Sequence, residues 1–536
     1  MRVPFICTLF TSYNCIWTST MKKGKFIVII VLALIITRIS LLFSPFIDVD
    51  ETLFAIFARV WQHGGIPYAD AVETKAMGIY YFYVLASWLS GSLPNINMTA
   101  VHLLSIVWTG LTAWVVGRIA TRIANERAGL WAALLFVLFS SFFIPKIIGA
   151  SMDLTLLLPC ALAMDFLLHD RDDGTLWRSF LAGILVSAGI IIKYQAGIML
   201  PVVLTYFWLL RFPPRKAFTH SFIFALGCIP LTALMFWQLY TLGALQDFIY
   251  WSFGGSFRYL ASGKGTISIW RKLLSHVLPF IVSTFLIWAL ATKRFKEWWQ
   301  LGRVRWQKNP AESGVWLWFF LSIIAVCAGG RFYAHYFLLL MPQLSILAAL
   351  RLVSWDETSW NRYRKWVFLA IAAPFLVTMT LRWYPRPFYA QLHEEYIDDY
   401  KPYGEMLKSR TQPNDRILVW GYSPAVYWFA ERLPATRYLW SDVLVGRVVG
   451  IQRDLEEKID YSQFIHPEMW KMFFSDMDEH RPAYIIDMAP TGMHNYQHFP
   501  MQNYPDLMAY IFQNYVQEPD FMGAKLFRRK DLPAIP

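Results

Sequence analysis

From Lys25 to Ile47 the chain stays apolar for about twenty residues, then meets three carboxylates in four positions, Asp48-Val-Asp-Glu51. A run of that length can cross the hydrocarbon core of a bilayer as a helix. In that solvent every backbone N–H and C=O must find its partner inside the protein, which leaves helices and closed barrels as spanning structures. Further apolar runs fall near 99–117, 128–149, 152–168, 179–192, 196–210, 218–241, 273–292, 313–328, 333–350 and 366–381. Eleven runs of helical length predict a polytopic α-helical membrane protein. The overall balance agrees, with 56% hydrophobic and only 16% charged residues, a mean hydropathy of +0.37, and 25 Trp to supply interfacial belts.

Charge divides the chain in two. Residues 1–382 carry 33 Lys+Arg against 16 Asp+Glu, whereas residues 383–536 carry 16 against 21. A basic apolar body over 21–382 and an acidic, more polar unit over 383–536 are expected. Anionic headgroups and the preference for basic cytoplasmic loops account for the excess of cations, so no nucleic-acid partner is called for. The five cysteines have no zinc-ligand spacing, and none lies in the polar unit. Residues 1–20 lack the long apolar region of a signal peptide, and Met21-Lys-Lys-Gly-Lys25 reads as a better start; 1–20 is taken as an extension.

One further run, 77–91, fixes the topology. If it lies flat on the outer surface as an interfacial helix, the basic connections 118–127, 211–216, 293–308 and 351–365 all face the cytoplasm together with Lys22, Lys23 and Lys25. If it spans, most of them move outside. The first layout places the N-terminus inside and both the acidic loop 48–98 and the tail outside. The cations then left on the outer side before the tail are Arg59, Lys75, Lys146, Lys193, Arg258, Lys264, Arg271, Lys272 and Arg331. Topology does not require them, so they are candidates for chemistry. In the tail, Arg416–Trp420, Ala483–Asp487 and Lys525–Arg528 read as strands and 501–515 as helical, a small α/β domain. No Gly-x-Gly-x-x-Gly follows its first strand, which removes support for nucleotide binding.

Four outer groups recur at span ends: Asp48-Val-Asp-Glu51, Tyr68-Ala-Asp-Ala-Val-Glu-Thr-Lys75, Asp153, and Gly329-Gly-Arg-Phe-Tyr-Ala-His-Tyr336, with Lys193-Tyr-Gln195 as a fifth. Carboxylates for proton transfer beside cations for an anionic leaving group suit transfer from a phospholipid-linked donor. Each has a plainer reading. The acids can cap a solvated helix end, Lys193 can snorkel to the interface, and His335 can be an interfacial histidine. Arg331, four residues before His335, is expected on the same helix face, which favours an anion site. Asp48-x-Asp50 also matches the pattern that holds a divalent cation and a nucleotide sugar, but such donors are cytoplasmic and this loop faces out. Asp48 and Glu73 remain the candidate metal ligands, and no cofactor is certain. Arg38, inside the first span, must find a carboxylate, a carbonyl or water and reads as structural. Asp170, Asp172 and Asp173 fall in a cytoplasmic connection and read as solvated.

An Asp-Glu pair after the first span, Tyr-x-Asp…Glu-x-Lys, an outer Asp opening the fourth span and Gly-Gly-Arg-Phe-Tyr-x-His-Tyr together resemble the GT-C membrane glycosyltransferases. The nearest group looks like glycosyltransferase family 39 and its bacterial relatives, the protein O-mannosyltransferases and lipid A aminoarabinose transferases. The resemblance covers roughly residues 26–350, with the tail similar to their periplasmic domain. It implies a GT-C fold of about eleven transmembrane helices plus outer juxtamembrane helices. It also implies inverting transfer of a sugar from a polyprenyl-phosphate donor to an outer-leaflet acceptor, in a bacterial inner membrane. Asp50 would be the base and Glu51 and Glu73 would orient it or bind a cation. Asp153 would brace the cavity, while Lys75, Arg331 and His335 would neutralise the lipid phosphate, with Lys193, Tyr194 and Tyr333 also lining the substrate site. Two departures stand out: the family commonly has Lys-Pro-Pro where this chain has Lys75-Ala76-Met77, and Tyr-Pro-His where it has Tyr333-Ala334-His335. A transporter or flippase of lipid-linked substrates, and an inactive relative, are the competing classes. The absence of an internal repeat disfavours the transporter.

Overall fold

The computed structural model describes residues 23–142, 148–168, 175–255, 270, 273–302, 306, 309–383, 399–447 and 465–533. The 1–20 extension, Lys146, Arg258, Lys264, Arg271, Lys272, Asp170, Asp172 and Asp173 therefore lie outside the described residues.

Most apolar runs of the sequence fall on helices or on abutting helical segments, for example Met98–Ile123, Leu176–Ile192, Pro214–Thr241, Pro310–Cys327 and Glu357–Trp383. Among the described residues, five uninterrupted helical stretches are long and apolar enough to cross a membrane, the first being Gly24–Phe43, and the pair Leu273–Ser283 and Phe285–Gln300, bent by 80°, makes a sixth if it is one span. The chain is an integral membrane protein. Most of the remaining runs form shorter helices, and 366–381 lies within the longer helix Glu357–Trp383. The last of these five, Ala334–Val353, has 89% of its most apolar window buried inside the protein, so apolarity there serves the bundle core rather than lipid contact. The run 77–91 forms the helix Gly78–Leu89. At about 1.5 Å per residue it is too short to span, and it buries Ile79, Tyr80, Phe82 and Tyr83. Phe57 and Tyr80 stack with ring centroids 3.8 Å apart, fixing this helix against Val49–Gln62.

Arg38 is fully buried and donates to Thr37 Oγ1, to the Val137 carbonyl and to Ser140 Oγ at 3.0, 3.3 and 2.8 Å. It joins the first helix to Glu126–Phe139, as its cost in an apolar segment demands. At another end of the bundle Arg294 and Arg351 both reach Glu297, at 3.3 and 3.0 Å, so the basic connections 293–308 and 351–365 share one face.

The tail folds as an α/β unit on a five-stranded sheet in the order β2-β1-β3-β5-β4. Its strands are β1 (Arg416–Trp420), β2 (Leu433–Pro434), β3 (Tyr484–Asp487), β4 (Tyr515–Phe521) and β5 (Ala524–Arg529). β1 runs parallel to β2 and β3, and β5 runs antiparallel to both β3 and β4. The central strands are buried on both faces, which is why they read as continuous apolar runs. The unit docks on the segment after the first span. Phe429 packs on Phe46 at 5.6 Å, Arg59 Nη2 donates to the Glu431 carbonyl at 2.7 Å, and Val72 N donates to the Arg437 carbonyl at 2.8 Å. The loop 48–98 and the tail thus occupy the same end of the molecule.

Candidate active site

The acidic motif opens the helix Val49–Gln62. The first N–H groups of a helix have no intrahelical acceptor and carry the positive end of its dipole, so carboxylates gather there. Asp48 is the N-cap, its side chain accepting from Asp50 N at 2.9 Å. Glu51 turns into the protein, 2% exposed, and accepts from Ile47 N and Ala150 N, each at 2.6 Å. His102 Nε2 lies 3.3 Å from the same carboxylate, and His102 Nδ1 meets the Leu41 carbonyl at 2.8 Å. Burial pushes the Glu51 pKa up, but His102 and the two backbone donors outweigh it and hold the carboxyl below its ordinary value. Gly149 must be small, because a Cβ there would stand 2.8 Å from Glu51 Oε1. Both Glu51 oxygens are therefore committed to holding segments 47 and 150 together, a structural task the sequence did not disclose. Asp50 stays half-buried in the first turn.

The loop Tyr68–Lys75 is fixed from behind. Tyr68, with φ at 65°, is fully buried and donates its hydroxyl to the Lys75 carbonyl at 2.8 Å. Ser252 Oγ donates to that same carbonyl at 3.0 Å, and Tyr194 OH lies 2.5 Å from Ser252 Oγ. Tyr194 thus supports Lys75 through its backbone. Glu73, 1% exposed, accepts from Thr74 N at 2.6 Å through Oε1, which is also 3.8 Å from Lys75 Nζ. Its Oε2 is buried with no hydrogen-bond partner among the described residues. Burial raises the Glu73 pKa, and the nearby Asp50 charge adds to the rise against the pull of Lys75 and Thr74.

Asp153 begins the short helix Met152–Thr155, which Ser151 caps. It is buried and paired with Lys193 Nζ at 2.6 Å, while His335 Nε2 lies 3.9 Å from its other oxygen. Lys193 Nζ also sits 4.4 Å from the Tyr336 ring centroid. These contacts replace the snorkelling alternative for Lys193 with a buried ion pair. Arg331 is buried, and its Nη1 reaches Tyr333 OH at 3.5 Å. It does not share a helix with His335, as the four-residue spacing had led us to expect. Positive φ at Gly329 (77°), Gly330 (62°) and Phe332 (53°) breaks the chain, and the 3₁₀ helix Ala334–Leu340 starts only afterwards.

The two groups adjoin. The start of Gly78–Leu89 presses on the end of Leu176–Ile192 so closely that a Cβ at Gly78 would stand 2.7 Å from Ile192 N, next to Lys193. Tyr83 OH donates to the carbonyl of Ala150, the residue whose N–H holds Glu51. No group of three or more His, Cys, Asp or Glu side chains among the described residues is arranged to hold a metal ion. Asp48 is engaged as a helix cap, and Glu73 stands beside a lysine.

Sequence reasoning missed His102, although an ionisable residue inside a span is a signal for which it could have looked. It also missed a contribution from the tail. Tyr422 follows β1, and burial, with the charges of Asp50, Asp442, Glu73 and Asp48, raises its phenol well above the ordinary value. Its ring meets His494 edge-on at 4.7 Å, and Arg447 donates to the His494 carbonyl at 2.7 Å.

The sequence family described as dolichyl-phosphate-mannose-protein mannosyltransferase matches residues 78–240. No curated protein matches the chain. Among solved structures, ArnT from Cupriavidus metallidurans bound to undecaprenyl phosphate superposes with a TM-score of 0.63 at 14% identity, over 94% of this chain and 98% of that one. The same protein in the apo state gives 0.60 at 15% identity, over 94% and 98%. The oligosaccharyltransferase AglB from Archaeoglobus fulgidus, in complex with an inhibitory peptide and a dolichol-phosphate, gives 0.50 at 12% identity, over 96% and 75%. At these identities the likeness establishes the fold.

Proposed function

Because the chain carries the fold of the GT-C membrane glycosyltransferases, we propose that it transfers a sugar from a polyprenyl-phosphate donor to an acceptor on the outer face of the membrane. The observation that carries this reading is the half-buried Asp50 in the first turn of a helix, its charge acting on the buried Glu73, which in turn lies 3.8 Å from Lys75. The matched solved structures, bound to undecaprenyl phosphate and to a dolichol-phosphate, lend support on the donor.

In this mechanism Asp50 takes the proton of an acceptor hydroxyl or amine. The freed lone pair attacks the anomeric carbon from the face opposite the phosphate, and the carbon–oxygen bond to the lipid phosphate breaks. The anomeric configuration inverts, and the proton stays on the Asp50 carboxyl until it passes to solvent, which restores the base. A carboxylate stays ionised near neutral pH, as a base must. Lys75 and Arg331 meet the phosphate charge that grows as the bond breaks, where a fixed cation stabilises the transition state more than the ground state. Asp153, Lys193, His335 and Tyr333 hold the wall of the cavity. Residues 21–382 form the catalytic membrane domain and 383–536 a domain on its outer side, with the N-terminus in the cytoplasm.

The test is release of polyprenyl phosphate from a short-chain polyprenyl-phosphate sugar by the purified protein in detergent. Turnover that depends on protein supports the reading. An intact, folded protein that leaves a panel of such donors untouched overturns it.

A further inference from the structure

Two hydrogen bonds tie the outer domain to the membrane body, Arg59 Nη2 to the Glu431 carbonyl and Val72 N to the Arg437 carbonyl. The segments that run between these contacts line a cleft of about 260 Å³. Val60, His63 and Asp70 face it from the body. Arg416 of β1 and Leu433 of β2, which pair in register, face it from the outer domain, with Glu479 and His480 at the end of the helix Pro467–His480. Asp50 is not among its lining residues. Val60 lies ten residues further along the helix that Asp50 opens, about 15 Å away at about 1.5 Å per residue.

Some of these wall groups are already engaged. Asp476 grips Arg437 Nε at 2.9 Å and Nη2 at 2.7 Å, and accepts from Arg437 N at 2.9 Å. Others keep capacity toward the cleft. Arg416 donates Nη1 to the Pro434 carbonyl at 2.9 Å, and its Nε and Nη2 have no hydrogen-bond partner among the described residues. Asp70 accepts from Ile66 N at 2.7 Å through Oδ2, which leaves Oδ1. Glu479 Oε1 has only the distant His480 Nδ1, at 4.0 Å, among the described residues. His63 Nδ1 meets the Arg59 carbonyl at 2.8 Å. A carbonyl only accepts, so Nδ1 carries the proton and Nε2 of the neutral ring accepts. Asp70, Glu479 and Asp476 support the Arg416 charge against its burial, yet none forms an ion pair with it. A guanidinium thus faces carboxylates across an open gap.

That gap selects its occupant. Two arginines against three carboxylates nearly balance, so an anion is opposed by Asp70 and Glu479 and a cation by Arg416 and Arg437. Burial, and then the Arg416 charge, hold the His480 imidazole below its ordinary value, so at pH 7 it is a neutral ring. No group of three or more His, Cys, Asp or Glu side chains among the described residues is arranged for a metal ion. An apolar molecule would leave the polar groups unmet. A sugar hydroxyl both donates and accepts. Two neighbouring hydroxyls can take N–H groups from Arg416 and give protons to Asp70 or Glu479, while Val60 and Leu433 offer apolar surface to the ring C–H groups. The volume is just below the range of about 300–1,000 Å³ usual for small-molecule sites, room for one sugar ring. We propose that this cleft binds one neutral sugar unit, at a saccharide site separate from the Asp50 centre and shared by the two domains. Asp70 belongs to the loop that carries Glu73 and Lys75, so an occupant ties that loop to the outer domain. Binding there requires no turnover and holds or fails independently of the transfer reaction.

The probes are the methyl glycosides of glucose, mannose, galactose and N-acetylglucosamine, titrated into the full chain in detergent and followed by saturation-transfer NMR. The binding efficiency per atom usual for small ligands puts Kd at about 1 mM. At least one glycoside should give a saturable signal that equimolar inorganic phosphate or methylammonium does not displace. Glu479→Ala removes an exposed side chain at a helix end, and should weaken binding at least about tenfold, the scale of a hydrogen bond to a charged group. Arg416→Lys keeps the charge but loses the planar fork, and should weaken it comparably. Melting curves identify the variants that fold as the native protein does. The site is overturned by no saturable signal up to about 50 mM, far above that Kd. Displacement by either ion, or a Kd unmoved in a variant with the native melting curve, overturns it equally. A protein that binds a glycoside through these residues but turns over no donor refutes the transfer reading and leaves this site standing.

Discussion

Glu51→Gln should damage stability far more than its one-atom change suggests. In the native protein the carboxylate accepts from two buried backbone donors, Ile47 N and Ala150 N, and faces His102 as well. An amide has one acceptor oxygen and one NH₂ group. Whichever way it turns, an N–H donor of the backbone meets an N–H donor of the side chain at a spacing built for a 2.6 Å hydrogen bond. An orphaned buried donor costs about 1–3 kcal/mol, and loss of a bond to a charged group about 1.5–3 kcal/mol, giving about 2.5–6 kcal/mol together. For a cooperative unit of about 150–250 residues each kcal/mol lowers Tm by about 2–4 °C, so a fall of about 10 °C is expected in a fluorescence melt of detergent-purified protein. The pH dependence follows from the depressed pKa. The stabilisation from Glu51 is present above its ordinary value of 4.5 and is lost as pH falls through the lower folded value, so the gap between wild type and variant should close on acidification. An unchanged Tm with lost turnover would mean that Glu51 acts in the chemistry and that its hydrogen bonds have been misjudged.

Glu73→Gln should act in the opposite sense. Its folded pKa is raised, so the ionised form is a burden above that value, and a neutral isostere should raise Tm at pH 7 by a few degrees while lowering turnover; a lower Tm would contradict this. Lys75→Ala and Arg331→Ala should each lower kcat at least about tenfold with a short-chain donor, and Arg331→Lys should restore only part of it because a planar fork grips phosphate as a point charge cannot. Wild-type rates in both alanine variants would remove the phosphate site. Reporters fused after residue 125 or 305 should read cytoplasmic and one at the C-terminus outside, and an external signal at 305 would invert the layout.

Much of this arrangement was legible because its causes are local. The apolar runs are helices since a span must satisfy its own backbone, and β1 falls on Arg416–Trp420 as read because a buried strand is a short continuous apolar run. β4 escaped notice: most of its residues are exposed, and Tyr515-Val-Gln-Glu-Pro-Asp-Phe521 has neither a clean alternation nor an apolar run. The acids at 48–51 announced a site by crowding a helix N-terminus. Their division of labour did not show, because what separates Glu51 from Asp50 is the pairing with Ala150 and His102, 99 and 51 residues away. The Arg331–His335 spacing misled for the complementary reason: the glycines that break the helix were in view, but no residue type marks the positive φ of Phe332.

The account stands on Asp50 as the base. Asp50→Asn preserves size and most hydrogen bonding, removes the proton acceptor, and leaves the Asp48 cap and the Glu51 network untouched. Single-turnover transfer from a short-chain polyprenyl-phosphate sugar should fall by about 100-fold or more, the usual scale for a general base, with an unaltered melting curve. Transfer at the native rate by a folded Asp50→Asn protein would contradict the mechanism proposed for this site.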